Sequence, residues 1–350
     1  MKTAANDFLE LVSGRKGGWR ANLWRAALRV ASWGYGLVAW VRNRLYDRGW
    51  LRVEHVPAQV ISVGNLTVGG TGKTPCVEFL ARYLNDQGYR VAVLSRGYGS
   101  AGGANDEAML LEDNLPNVPH LIGADRVALA RTAIEELESE ILILDDGFQH
   151  RRLARSLDLV LIDATEPWGY GALLPRGLLR ESTSALKRAD AVILTRCDLV
   201  SADRLTSIGK RIAQLTTDKL VIEAEHQPLV WINADGHQVS IGELHNRSGI
   251  AFCGIGNPQA FFATLEKLGL NVIERRVYAD HYPYSREDVR ELEAWAERQS
   301  PDAVVLTTQK DLVKLRVSKL GGRPLWALKI GMTIRKGEAR LKQMLANILN

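Results

Sequence analysis

The chain alternates short apolar runs with stretches of helical spacing. Apolar runs stand at 60–63, 90–95, 141–144, 157–162 and 191–194. Between the first two, Cys76, Phe79, Leu80, Tyr83 and Leu84 recur at helical spacing, with Gly88 at the expected stop. Residues 125–138 repeat the pattern through Val127, Leu129, Ala130, Ala133, Ile134 and Leu137. Apolar strands alternating with helices predict a parallel sheet buried on both faces. Further along, 230–232 and 238–241 flank Asn233-Ala234-Asp235-Gly236, a hairpin signal. Runs at 250–253, 271–278, 303–306 and 325–330 predict a second, smaller α/β unit. Its helices open at Asn257-Pro258 and at Ser285 with Asp288. The expected segments are 1–50, helical; 51–228, the main α/β domain; 229–245, a β-hairpin linker; and 246–350, the smaller domain.

Composition narrows the class. The 350 residues suffice for about two domains, and 46% hydrophobic with 24% charged residues is globular. Cys76, Cys197 and Cys253 are far apart, which argues against a disulfide framework or a structural zinc site. A net charge of +5 favours an anionic partner.

That charge gathers near the N-terminus. Arg15, Lys16, Arg20, Arg25, Arg29, Arg42, Arg44, Arg48 and Arg52 face a single acid there, Asp47. Trp19, Trp24, Trp33, Trp40 and Trp50 share the stretch. The uncharged run at 30–41 is too short to span a bilayer, which needs about 20 residues. Basic residues with interfacial aromatics predict a helix lying on an anionic membrane surface. No cleavage site follows, so a signal peptide is not expected.

Residues 60–74 carry the chemistry: Val-Ile-Ser-Val-Gly-Asn-Leu-Thr-Val-Gly-Gly-Thr-Gly-Lys-Thr. Strand, glycine-rich loop, Gly-Lys-Thr and helix make a phosphate-binding loop in its proper context. Thr67, Val68, Gly69, Gly70, Thr71 and Gly72 supply backbone N–H groups, and the helix N-terminus adds positive potential. Lys73 reaches the outer phosphates, and Thr74 can ligate Mg²⁺. Thr67 stands where the usual pattern begins with glycine, so Gly69 and Gly70 provide the backbone freedom.

The run at 141–144 ends in Asp145-Asp146. An acid at a strand tip is the second half of such a site. Asp145 suits the metal sphere, and Asp146 suits acceptance of a hydroxyl proton. Gln149, His150, Arg151 and Arg152 follow at once. His281, next to Asp280 in a loop, is an acid/base candidate. Thr195-Arg196-Cys197-Asp198 and Thr307-Thr308-Gln309-Lys310-Asp311 follow strands and could read a base or ribose.

Eight segments then point one way. They are 62–67 through Thr74-Pro75, Ser95-Arg96-Gly97-Tyr98-Gly99, Asp106-Glu107-Ala108, Asp145-Asp146-Gly147-Phe148-Gln149-His150, 173–181, Gly254-Ile255-Gly256-Asn257-Pro258, Asp280-His281-Tyr282 and Thr308-Gln309-Lys310-Asp311. They resemble the tetraacyldisaccharide 4'-kinase family, the lipid A disaccharide kinases of Gram-negative bacteria, over nearly the whole chain. Thr67 is usual in that family.

The resemblance implies a P-loop NTPase-like three-layer α/β/α core. A smaller α/β domain joins it through a two-stranded linker, and an N-terminal helix meets the membrane. It implies ATP as donor and Mg²⁺ as cofactor, with phosphorylation of the 4'-hydroxyl of the disaccharide 1-phosphate to give lipid IVA. Asp146 is then the expected base, supported by His281 from the second domain, with Asp106, Asp145 and Thr74 near the metal. Arg96, Tyr98, Gln149, His150, Arg176, Arg180 and Glu181 are candidates for the lipid side. The expected location is the cytoplasmic face of the inner membrane, with an anionic lipid surface as partner. Neither nucleic acid nor an obligate protein partner is expected. Placing His281 in the second domain predicts domain closure on substrate. Two other readings stand beside this one: a GTPase-type metallochaperone or switch, and a nucleotide-binding scaffold without catalysis.

Overall fold

The computed structural model describes residues 4–97, 106–217 and 219–349. Helices α1 (Ala4–Val12) and α2 (Trp19–Asp47) come first. They lead to β1 (Gln59–Asn65), α3 (Lys73–Asp86), β2 (Val91–Ser95) and α4 (Asp106–Asn114). Next are β3 (His120–Ile122), α5 (Arg126–Glu135), β4 (Ile141–Asp145), β5 (Leu157–Asp163), β6 (Ala191–Thr195) and α6 (Ala202–Leu215). The remainder runs β7 (Leu220–Ile232), β8 (Gln238–Val239), β9 (Ser248–Cys253), α7 (Pro258–Lys267), β10 (Asn271–Val277) and α8 (Arg286–Glu297). It closes with β11 (Val304–Thr308), α9 (Gln309–Leu315), β12 (Lys319–Leu320), β13 (Arg323–Lys336) and α10 (Glu338–Leu349).

The chain forms two compact units, neither contiguous in sequence. The first holds residues up to 96, 117–226 and 332 onward; the second holds 97–116 and 227–331. This differs from the segments expected above. The chain crosses between units inside β7 and again inside β13, while the β7–β8 hairpin pairs Trp231 with Val239 wholly within the second unit. The turn signal at 233–236 marks a hairpin, but a long strand passing between units carries no turn residue to announce it.

In the first unit the strands lie in the order β7-β6-β5-β1-β4-β2-β3, all parallel. Every residue of β2, β4 and β6 is buried, as a sheet covered on both faces requires. Burying a side chain such as Ile61 or Leu142 contributes about 1.5–3 kcal/mol. Strand β1 is central, with β4 on one side and β5 on the other. The segments leaving its C-terminal end therefore flank a crevice, the usual ligand position in open α/β sheets.

The second unit has parallel β10-β9-β11-β13, with β12 antiparallel to β13. Phe252 at its centre packs edge-on against Tyr278, Tyr284 and Trp295. Ser285 and Asp288 close the expected capping box on α8, and Asn257 caps α7 ahead of Pro258.

Helix α2 docks a mostly small or polar stripe. Ser32 Oγ donates to Leu173 O at 2.9 Å, Tyr35 Oη to Arg180 O at 2.9 Å, and Asn43 Nδ2 to Glu181 Oε2 at 2.7 Å. Its large apolar side chains point outward. Trp24, Trp33 and Trp40 are 64%, 68% and 62% exposed, joined by Leu23, Val30, Leu37 and Val38. No described helix is long and apolar enough to cross a membrane.

Candidate active site

The loop at 66–72 leaves β1 and enters α3 through Gly72, which caps the helix in a left-handed conformation, φ 92° and ψ 24°. Gly69 also has positive φ, 114°. Both conformations favour glycine. Asn65 Nδ2 donates to Thr67 O at 2.6 Å and to Thr71 Oγ1 at 2.9 Å. Thr195 Oγ1 donates to Thr71 O at 2.8 Å, and Arg196 Nη2 to Gly70 O at 2.6 Å. Segment 173–181 backs the loop: Leu178 O accepts from Val68 N at 2.8 Å, and Leu66 O from Arg180 N at 2.7 Å. Three loop carbonyls, those of Thr67, Gly70 and Thr71, are thus held by side chains. A loop fixed largely through its acceptors can turn donors toward an anion.

Thr195 and Arg196 are therefore loop supports in this structure. His226, at the end of β7 in this unit, was not singled out by the sequence. A Cβ on Gly72 would lie 2.5 Å from its Nε2. Burial, with Arg196 adding to it, pushes the His226 imidazole down to about 4, so the ring packs on the loop uncharged.

Asp145 ends β4 in register with Val63 and is buried, as is Thr74 in the first turn of α3. Asp146 turns away with φ 54°. Lys73 Nζ stands 3.5 Å from Asp146 Oδ1 and 3.5 Å from Asn65 Oδ1. Arg180 Nη1 lies 2.8 Å from both Asp146 oxygens. Burial works to raise the Asp146 carboxyl, but Lys73 and Arg180 outweigh it and hold it below the usual carboxylate range. Gln149 completes the cluster, donating to Asn65 O at 3.0 Å and accepting from Arg180 at 3.4 Å. A carboxylate so clamped is a poor proton acceptor and a good anchor for the lysine.

The second unit holds the other candidates. Asp106 opens α4, and His281 Nδ1 lies 2.9 Å from both its oxygens. His281 is thus paired with Asp106 inside the second unit. Burial works against the Asp106 charge, but His281, Lys310 and Lys314 prevail and lower its pKa. The bond to Asp106 in turn raises His281. Lys314 Nζ reaches Asp106 at 3.7 Å and Asp311 at 3.3 Å. Asp311, fully buried, accepts from Gly254 N and Tyr284 Oη at 3.0 Å each. The 307–311 segment thus builds the unit: Thr308 caps α9, and Gln309 exchanges hydrogen bonds with Asn114 at 2.9 and 3.3 Å.

Of the lipid-side candidates, Gln149 and Arg180 join the cluster around Asp146. Arg176 Nη1 bonds Val12 O at 2.9 Å, and Glu181 accepts from Asn43 and Arg188, so these two anchor the N-terminal helices. Arg96 is exposed at the end of β2, and Tyr98 lies outside the described residues.

A glycine loop closed by Lys73, a following threonine and a strand-tip carboxylate define a P-loop nucleotide-binding protein. Comparison with known proteins narrows this. The tetraacyldisaccharide-1-P 4'-kinase (LpxK) family model matches residues 24–350. A tetraacyldisaccharide 4'-kinase of Syntrophus aciditrophicus is 41% identical over 88% of this chain and 89% of its own length. One from Geobacter sulfurreducens is 37% identical over 92% of this chain and 93% of its own. A crystal structure of LpxK from Aquifex aeolicus in complex with ATP superposes with a TM-score of 0.76 at 33% identity, covering 93% of this chain and 99% of that one. The chain belongs to the tetraacyldisaccharide-1-P 4'-kinase family and is a kinase, which sets aside the GTPase reading.

Proposed function

We propose that this kinase moves the γ-phosphate of ATP to the 4'-hydroxyl of a tetraacyldisaccharide 1-phosphate, with the phosphate loop and Lys73 holding the donor and the Asp106–His281 pair accepting the hydroxyl proton. The observation that carries the assignment is the contrast between the two carboxylates. Both oxygens of Asp146 are clamped by Arg180 beside Lys73, while Asp106 bonds an imidazole that can take up and release a proton near neutral pH.

Phosphoryl transfer asks for positioning and charge neutralisation more than covalent chemistry. Loop N–H groups and Lys73 offset charge on the transferring group, and Asp146 keeps Lys73 aimed. Thr74 and Asp145 offer hard oxygen donors, buried and adjacent to the loop. Among the described residues no cluster of three or more His, Cys, Asp and Glu could hold an ion alone. That donor set fits Mg²⁺, which keeps water and phosphate oxygens in its shell. Such an ion, when bound, neutralises charge on the outer phosphates.

The outward tryptophans and arginines of α2 suit the surface of an anionic bilayer, where an acylated acceptor resides. Transfer of label from [γ-³²P]ATP to disaccharide 1-phosphate in mixed micelles tests the reading. Labelling that needs Mg²⁺ and collapses in Asp106→Ala supports it; full labelling by that variant removes the pair from the mechanism.

A further inference from the structure

Lys314 stands between two carboxylates in the second unit. Its Nζ lies 3.7 Å from Asp106 and 3.3 Å from Asp311, and the three side chains are 11%, 8% and 0% exposed. Asp311 is itself held by neutral donors: Gly254 N and Tyr284 Oη at 3.0 Å, and Thr308 Oγ1 at 2.6 Å. It sits one turn before Lys314 on α9, so the two share a helix face. Asp106 comes from the first residue of α4. Asn114 bonds Gln309 where α4 ends and α9 begins, and Asp106 meets Lys314 where α4 begins and α9 ends. The two helices therefore run antiparallel and are fastened at both ends.

Fastening alone does not call for charge. A buried lysine with two carboxylates costs desolvation three times over, and apolar side chains of similar size would join the helices as well. The ammonium is in ion-pair range of both acids yet makes no aligned hydrogen bond among the described residues. Both Asp106 oxygens stay with His281 Nδ1, at 2.9 Å each. Lys314 thus acts on Asp106 by charge and leaves its oxygens to the imidazole. Two other charges face the pair: Lys310 acts on Asp106 from the same helix, and Asp280 lies 3.9 Å from His281 Nε2. Lys314 is moored to Asp311, whose own bonds fix it. We propose that Lys314 is a positioning residue for phosphoryl transfer: moored by Asp311, it holds the Asp106 carboxylate against His281, so that the pair is assembled before the acceptor hydroxyl arrives. The proposal rests on the reading of Asp106 and His281 as the proton acceptor. A displacement of about 1 Å at a reacting group can cost about 10²-fold in rate, so the mooring should show in kcat.

The test follows transfer from [γ-³²P]ATP to disaccharide 1-phosphate by variants of the full chain, each assayed well below its Tm. Lys314→Met keeps the side-chain length and removes the charge. Its kcat should fall about 10- to 100-fold, with the KM for each substrate held within about twofold. It also strands the Asp311 charge, so its Tm should fall. Adding Asp311→Asn removes that stranded charge; Tm should recover while kcat stays low. Recovery of kcat together with Tm makes Lys314 a packing residue and overturns the proposal. If Lys314→Met alone does not fold, this double variant is compared with wild type directly, and a wild-type kcat overturns the proposal in the same way. In an Asp106→Ala background, Lys314→Met should cost nothing further, because the carboxylate it positions is gone. A full further loss there assigns the lysine another role and also overturns the proposal. Asp106→Ala that turns over like wild type fails the Asp106–His281 reading itself, and the proposal falls with it.

Discussion

His281 Nδ1 stands 2.9 Å from both carboxylate oxygens of Asp106, and each group shifts the other toward its charged form. The pair therefore carries an extra proton until the pH passes a value above the 6.5 of an ordinary imidazole. Below it the pair cannot accept the hydroxyl proton. The kcat/KM profile should rise through that alkaline-shifted value, and His281→Gln should move the limb to lower pH. A limb unchanged in His281→Gln would separate the imidazole from proton transfer. For stability, the His281 contribution is fully present below 6.5 and lost as pH rises through the raised value. The Asp106 contribution is present above the usual carboxyl value and lost as pH falls through its lowered one. His281→Gln should thus destabilise most in weakly acidic solution, measured as Tm against pH.

Lys73 and Asp146 divide charge and aim. Lys73→Met should lower kcat by about 10²–10³-fold, the scale of removing one preorganised donor at a developing charge. Asp146→Asn frees Lys73 and Arg180 and should also slow turnover, yet leave the pH limb in place. A limb that disappears in Asp146→Asn would instead make that residue the base.

Gly64 has no room for a methyl group: a Cβ there would lie 2.5 Å from Phe148 Cβ and 2.6 Å from Phe148 N. Backbone cannot yield, so Gly64→Ala should destabilise by at least about 1–3 kcal/mol in urea unfolding. At Gly72 the obstruction is His226, a side chain. Gly72→Ala should lose nucleotide binding, and adding His226→Ala should recover fold stability only in part, because the left-handed conformation stays unfavourable.

Asn114 and Gln309 satisfy each other inside the second unit. Asn114→Ala strands a buried amide and should destabilise by about 1–3 kcal/mol. A loss near zero would mean that water replaces the partner.

Replacing Trp24, Trp33 and Trp40 by serine should weaken sedimentation with anionic vesicles by about tenfold or more, since burying a large apolar side chain contributes about 1.5–3 kcal/mol. Unchanged sedimentation would leave those tryptophans for another apolar partner.

Much of the fold could be read because it repeats one rule. The apolar runs at 60–63, 141–144, 157–162 and 191–194 all became buried parallel strands, and the caps at Asn257 and Ser285 formed as expected. The phosphate loop was legible because its geometry is local. What stayed hidden depends on long-range packing. Helix α4 was not anticipated, because the glycine-rich stretch before Asp106 gives no cap signal, although Ala108, Leu110 and Leu111 are buried in it. The Asp106–His281 pair spans 175 positions, and no spacing encodes it. Thr195 and Arg196 carry residue types that suggest base recognition, yet each gives a hydrogen bond to the loop backbone, and Arg196 also pairs with Asp163. His226 gave no signal because a lone histidine in a strand is commonly structural.

Under the proposed docking of α2 on a lipid surface, its inverted polarity, with a small and polar docking stripe and aromatic faces outward, changes what substrate concentration means. An enzyme held at an interface meets its acceptor by diffusion in two dimensions. Its velocity then follows the mole fraction of acceptor in the surface, so adding inert detergent at fixed bulk lipid dilutes the reaction. A water-soluble kinase with the same phosphate loop would respond only to the amount of lipid in the tube.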